Sequence, residues 1–123
     1  MNLLELARNW DEFGQRDAMW SILTIPGTRG NRWKRRAFFR TGDEEVARVI
    51  GYLAGLGAPS RTGRALDFGC GVGRVTQALA RQFDLVDGVD IAPSMIAQAR
   101  RVPAARLGQF PVRGLSPLRG ADS

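Results

Sequence analysis

Apolar residues recur at helical spacing from the first positions of the chain. Leu3, Leu6, Ala7, Trp10 and Phe13 fall at i, i+3, i+4, i+7 and i+10, while Glu5, Arg8, Asp11 and Glu12 lie largely off that face. The pattern predicts an amphipathic helix over 3–13 that Gly14 ends, and a short second helix over 18–23 capped by Asp17. Pro26-Gly27 marks a turn and 28–32 reads as loop. Thr41-Gly42-Asp43-Glu44 fits a capping box, and the helix it opens is expected to bury Val46, Val49, Ile50, Leu53 and Leu56 before Gly57 and Pro59 stop it. Gly51 and Gly55 cost that helix about 1 kcal/mol each relative to alanine, which predicts close packing against a neighbour.

The period changes after residue 64. Ala65–Phe68 reads as a strand, 74–83 as a helix, Leu85–Val89 as a second strand, and 93–101 as a helix opened by Pro93 and Ser94. This β-α-β-α succession is the repeating unit of a parallel, doubly wound sheet and places the chain in the α/β class. Beyond Arg101 neither period survives. Prolines 103, 111 and 117 and glycines 108, 114 and 120 interrupt every candidate element, and no internal repeat is visible.

Composition narrows the chemistry. The 123 residues fit one domain at most. No apolar run approaches the roughly 20 residues that span a bilayer. Acids in the N-terminal MNLLELARNWDE interrupt what would be a leader's apolar core, so the cytoplasm is the expected compartment. The lone Cys70 forms no internal disulfide, and with no histidine a metal site is not expected. The absence of histidine also removes the commonest general base, so no catalytic residue is assigned. The net charge of +6 rests on seventeen arginines and Lys34, a skew that GC-rich coding produces. Residues 29–40 hold six basic residues and no acid, interleaved with Trp33, Phe38 and Phe39. That mixture suits nucleic acid, but the balance favours a solvated loop whose aromatics close over a pocket, so nucleic acid is not the expected partner.

The chemistry concentrates in ALDFGCGVGRVTQAL, residues 65–79. A short apolar strand delivers Asp67 into a turn where Gly69, Gly71 and Gly73 alternate before a helix begins. A second acid, Asp90, ends the next strand 21 residues after Gly69, where it can grip a ribose diol. A dinucleotide turn would need glycine at position 74, which is Arg74, and a P-loop would need Gly-Lys-Ser/Thr, which Gly73-Arg74-Val75 does not supply. Asp67 would repel a pyrophosphate and attract an ammonium or sulfonium. S-adenosylmethionine carries both a cation and a ribose.

Residues 65–100 thus resemble the first two motifs of the class I S-adenosylmethionine-dependent methyltransferases, LDFGCGVG and VDGVDIAPSMIAQAR. The segment NWDEFGQRDAMWSIL and the helix after Thr41 resemble the N-terminal cap of small-molecule members. The resemblance implies a Rossmann-like fold divided into a helical cap over 1–60, a partial S-adenosylmethionine-binding core over 61–101, and a disordered or frameshifted tail over 102–123. It implies that Gly69, Gly71 and Gly73 pass under the methionine part of the cofactor. Asp67 would meet its amino group, Asp90 its ribose hydroxyls, and Ile91 and Met95 its adenine. Cys70 would be a small residue packed beside the turn.

The family's sheet has seven strands in the order 3-2-1-4-5-7-6, and two are legible here, so the first strand is expected to have an open edge suited to self-association. The segments that hold acceptor and general base in the family have no counterpart in this sequence. The expected function is methyl transfer from S-adenosylmethionine to a small molecule. A fragment that only binds the cofactor is the rival reading, and a nicotinamide-dependent oxidoreductase the distant third.

Overall fold

The computed structural model describes residues 2–58, 63–101 and 112–114. Four helices and three strands alternate in an α/β arrangement: α1 (Leu3–Ile22), α2 (Arg35–Gly55), β1 (Arg64–Phe68), α3 (Arg74–Ala80), β2 (Leu85–Asp90), α4 (Pro93–Arg100) and β3 (Val112–Gly114). The strands form one parallel sheet in the order β1-β2-β3, with Arg64 opposite Leu85 and Gly88 opposite Val112. Because the order advances one strand at a time, right-handed crossovers place α3 and α4 on the same face. Val86 and Gly88 are buried under those helices. The other face is bare among the described residues, with Leu66 63% and Phe68 76% exposed.

A third strand is a departure from the sequence pattern, which places no element after Arg101. Three residues are too short to carry a period, and β3 is fixed by its surroundings. Arg100 donates from Nε and Nη2 to the Val112 carbonyl at 3.1 and 2.7 Å, and Val112 packs with Cys70, Ile96 and Ala99. The remainder of the expected tail lies outside the described residues.

The first helix also runs past its expected stop. Gly14 does not end α1, because its task is close packing: a Cβ there would collide with the Ser94 hydroxyl. The break comes instead at Asp17, whose backbone is extended. Its side chain does not cap the second half of α1. Oδ2 accepts from the Gly30 and Asn31 amides at 2.5 and 3.1 Å and so holds the following loop against the kink. Asp11, nearly two turns earlier, caps a different helix. Its carboxylate accepts from the Ser94 amide at 2.7 Å, its carbonyl accepts from the Ser94 hydroxyl at 2.7 Å, and Gln98 donates to the Gly14 carbonyl at 2.7 Å. These bonds satisfy donors at the start of α4 and fasten α1 along it.

The capping box expected at Thr41 is not formed. α2 begins two turns earlier, at Arg35, because Phe38 and Phe39 must point inward from a helix to fill the core with Ala18, Val72, Ala92 and Met95. Full burial of a side chain such as Phe38 contributes about 1.5–3 kcal/mol, well above the value of a cap. Thr41 therefore sits mid-helix, its hydroxyl donating to the Phe38 carbonyl at 2.6 Å. Of the apolar residues expected to be buried along α2, only Val46 is. Ile50 is half-buried, and Val49, Leu53 and Leu56 are exposed.

Gly51 and Gly55 have open space where a Cβ would stand, so close packing is not their role. Gly42 is the glycine that packs. A Cβ there would collide with the Arg74 backbone carbonyl, and this close approach seats α2 on α3. These two glycines of α2 make opposite predictions on urea unfolding. Gly42→Ala should destabilise by about 1–3 kcal/mol through overpacking. Gly51→Ala, on an exposed helical site, should stabilise by about 0.5–1 kcal/mol.

Candidate functional site

The glycine turn leaves β1 and enters α3 by a path only glycine follows without strain. Gly69, Gly71 and Gly73 have φ of +77°, +56° and +90°. The Gly69 and Cys70 amides both donate to the Val89 carbonyl, at 2.8 and 2.9 Å. Asp90 then locks the turn from the end of β2. Its Oδ2 accepts from the Gly71 amide at 2.8 Å and its Oδ1 from the Ala92 amide at 2.9 Å. Each carboxylate oxygen keeps acceptor capacity beyond these single bonds.

A cavity of about 430 Å³ opens over this turn. Five of the seven residues expected from the sequence line it: Gly69, Gly71, Asp90, Ile91 and Met95. Asp67 lies in a smaller adjoining space of about 80 Å³, with Cys70, Arg74 and Val75, and Gly69 and Gly71 line both. Gly73 reaches neither; it is the N-cap of α3 and faces Ala99.

The remaining wall comes from α1 and from Phe68 at the end of β1. Leu3, Leu6, Trp10 and Ile22 line the larger cavity, and Ile22 lines the smaller one as well. Its Cδ1 lies only 2.9 Å from where a Gly71 Cβ would be. The helical period showed the apolar face of α1 but not that half of it would face a cavity rather than solid core. Trp33, Phe38 and Phe39 do not close over the pocket as the sequence suggested. They pack in or against the core cluster behind it, with edge-on ring contacts at 5.6 and 5.3 Å.

Two further residues had no sequence signal. Thr76, fully buried on α3, donates its hydroxyl to Asp67 Oδ2 at 2.7 Å and orients that carboxylate. Glu45 on α2 pairs with Arg74 Nη2 at 2.7 Å, while Arg74 Nη1 donates to Thr41 at 3.3 Å. The cation beside Asp67 is thereby already engaged. Partial burial raises the Asp67 carboxyl above its ordinary 3.8, opposed by the Thr76 hydrogen bond and Arg74, and assisted by the Asp90 charge. Burial likewise pushes the Cys70 thiol up to about 12, with the charges of Asp90 and Asp67 adding to it. The turn is thus bracketed by carboxylates at the carboxyl ends of adjacent parallel strands, where open α/β sheets bind their ligands.

Residues 65–113 match the family profile described as a methyltransferase domain. That match covers about two-fifths of the chain. Over 73 residues the chain is 36% identical to an uncharacterised RNA methyltransferase of Lactococcus lactis, a match covering 59% of this chain and 14% of that protein. Its fold resembles magnesium protoporphyrin IX methyltransferase of Synechocystis PCC 6803, solved with S-adenosylhomocysteine, at a TM-score of 0.59 and 22% identity over 92% of this chain and 51% of that one. It also resembles phosphoethanolamine N-methyltransferase 1 of Haemonchus contortus, solved with phosphoethanolamine and S-adenosylhomocysteine, at 0.58 and 20% identity over 89% of this chain and 20% of that one. The architecture is the class I Rossmann-like methyltransferase fold, here with a short three-stranded sheet. The chain spans between about a seventh and about half of the length of these relatives. No described helix is long and apolar enough to cross a membrane.

Two measurements check the electrostatics. A carboxyl whose folded pKa exceeds its unfolded one costs stability once pH rises past the unfolded value, and costs nothing at low pH where both states hold the proton. Asp67→Asn keeps an acceptor for Thr76, so its melting temperature should exceed that of the wild type near neutral pH. The gap should close below about pH 4. Separately, iodoacetamide near pH 8 should leave Cys70 unlabelled in the folded protein and label it rapidly in denaturant, because only the thiolate reacts.

Proposed function

We propose that this chain binds S-adenosylmethionine over the glycine turn and belongs to an enzyme that transfers its methyl group to a small-molecule acceptor. The observation that carries the reading is the acidic bracket. Asp67 and Asp90 flank a turn of three left-handed glycines that opens into a cavity of about 430 Å³, and the one nearby guanidinium is paired with Glu45. A pyrophosphate is repelled there, and a ligand with cationic and diol groups is held.

The residues fit the cofactor in this way. Gly69 and Gly71 let the backbone approach without side chains. Asp67, oriented by Thr76, takes the ammonium, and the free acceptor capacity of Asp90 takes the ribose hydroxyls. Ile91, Met95 and Trp10 supply apolar surface for the adenine. S-adenosylmethionine, when bound, supplies a methyl group on a sulfonium, open to in-line displacement. The protein's contribution is orientation and exclusion of water by the apolar wall of α1, with no proton transfer assigned to a side chain. A nucleic-acid acceptor is the second reading, favoured by the identity shared with the Lactococcus lactis RNA methyltransferase.

Isothermal titration with S-adenosylhomocysteine tests the cofactor. Micromolar binding is expected, weakened about 10–100-fold in Asp90→Asn, the range for losing a charged hydrogen-bond acceptor. A thermal melt of the same variant separates lost contacts from lost folding. Binding of NADH in place of S-adenosylhomocysteine, or of neither, overturns the reading.

A further inference from the structure

A second cavity, beside the middle of α1 and the end of α4, has the opposite electrostatic character. It encloses about 420 Å³ between α1, the loop after it and the end of α4, with Gln15, Arg16, Asn31, Ser94, Gln98 and Arg101 among its lining. No carboxylate lines it. The loop that forms one rim is pinned to α1 by Asp17 and by Asn31, whose amide donates to the Arg16 carbonyl at 3.0 Å. Asn31 thereby joins the groove's lining to the segment 29–36, which holds Arg29, Arg32, Lys34, Arg35 and Arg36. Arg29 sits over Trp20, its Cζ 4.9 Å from the ring centroid, and Arg35 over Phe39 at 5.4 Å. Among the described residues, Arg29, Arg32, Lys34, Arg35, Arg36 and Arg101 have no carboxylate partner. The counter-charges nearby are Asp11, whose carboxylate accepts from the Ser94 amide and the Gln15 side chain, Glu12, in an exposed pair with Arg16, and Asp17, engaged by the loop amides.

The geometry points to this groove and its basic rim as a docking surface for the phosphodiester backbone of a single-stranded nucleic acid. A lone phosphate in the groove would meet Arg16 and Arg101, whereas the loop that supplies Asn31 to the lining carries further cations at Arg29, Arg32 and Lys34. A polyanion can engage both sets. The groove is concave and polar, and Ile25 is the one large apolar side chain exposed on the loop, too little for a membrane anchor. Arginine carries the array, and its planar fork, here braced on Trp20 and Phe39, matches phosphate oxygens in pairs. The surface is separate from the cofactor cavity, so the inference does not rest on the proposed methyl transfer.

Fluorescence anisotropy with a labelled 20-nucleotide RNA of mixed sequence tests it on the full chain. Engaging about six phosphates should weaken binding roughly 300-fold between 50 and 200 mM KCl. Arg32→Gln/Arg36→Gln/Arg101→Gln should flatten the log–log salt slope by about 2. The triple lysine variant at those sites should keep the slope, separating charge from packing. A melting curve and S-adenosylhomocysteine titration of each variant report the fold and the other cavity independently. The inference is overturned by no RNA binding at 50 mM salt, by an unchanged slope in the glutamine variant, or by tighter binding to phosphatidylserine vesicles than to RNA. RNA binding without S-adenosylhomocysteine binding sustains it and overturns the cofactor reading alone.

Discussion

The Asp90 carboxylate holds the centre of this structure together. One oxygen takes the Gly71 amide and the other takes the Ala92 amide, so a single side chain fixes both the glycine turn after β1 and the residue that starts α4. Those amides belong to short connections with few backbone partners of their own, and buried donors left unmet are costly. With Gly71 fixed, Ile22 docks on it and the cavity gains its apolar wall. With Ala92 fixed, Met95 and Ile96 fall into the core clusters on either side of α4. The same carboxylate that organises the fold presents its remaining acceptor capacity to the cavity, which makes the site pre-formed rather than assembled around a ligand.

The part of the chain that was legible in sequence is the part whose structure is set by local chemistry. The glycines at 69, 71 and 73 sit where φ is positive, and the strands and helices around them follow their own apolar periods. Residues 1–58 were legible as helices but not in their limits. Gly14 reads as a stop and Thr41 as a cap only while each is considered without its neighbour. Ser94 against Gly14, and the Arg74 backbone against Gly42, turn both glycines into contact points inside continuous helices. Of the candidate residues drawn from the turn, Gly69 and Gly71 line the cavity and Gly73 does not, whereas Leu3, Leu6, Trp10 and Ile22 line it without a signal of their own, because an apolar stripe looks the same whether it faces core or cavity. Thr76 was invisible for a related reason: a hydroxyl on the buried side of a helix gains its meaning only from Asp67 across the turn.

The sheet is covered unequally. A parallel sheet ordinarily has helices on both faces. Here α3 and α4 occupy one, and Leu66, Phe68 and Leu85 stand on the other at 63%, 76% and 52% exposure. β1 is also an edge strand, with unpaired backbone groups along its outer side among the described residues. The solved relatives contain about two to five times as much chain as this one matches, so the fold they share has material beyond the elements described here. The cavity is less affected than the sheet. Its floor is the turn, its far end is β2 and α4, and its wall is α1, all of which are present.

α1 joins the two electrostatic halves of the molecule. Its Leu3, Leu6, Trp10 and Ile22 face the cavity beside Asp90, while Gly14, Gln15 and Arg16 face the basic groove. The kink at Asp17 lies between Arg16 and Ile22 and is held by the loop amides of Gly30 and Asn31. Ile22 is the residue at the end of the last turn of α1. Ile22 is also the side chain that lies against Gly71 and lines both spaces around the turn. The groove and the cavity therefore share one mechanical element, and five residues of helix separate a charge contact at Asp17 from an apolar contact at the glycine turn.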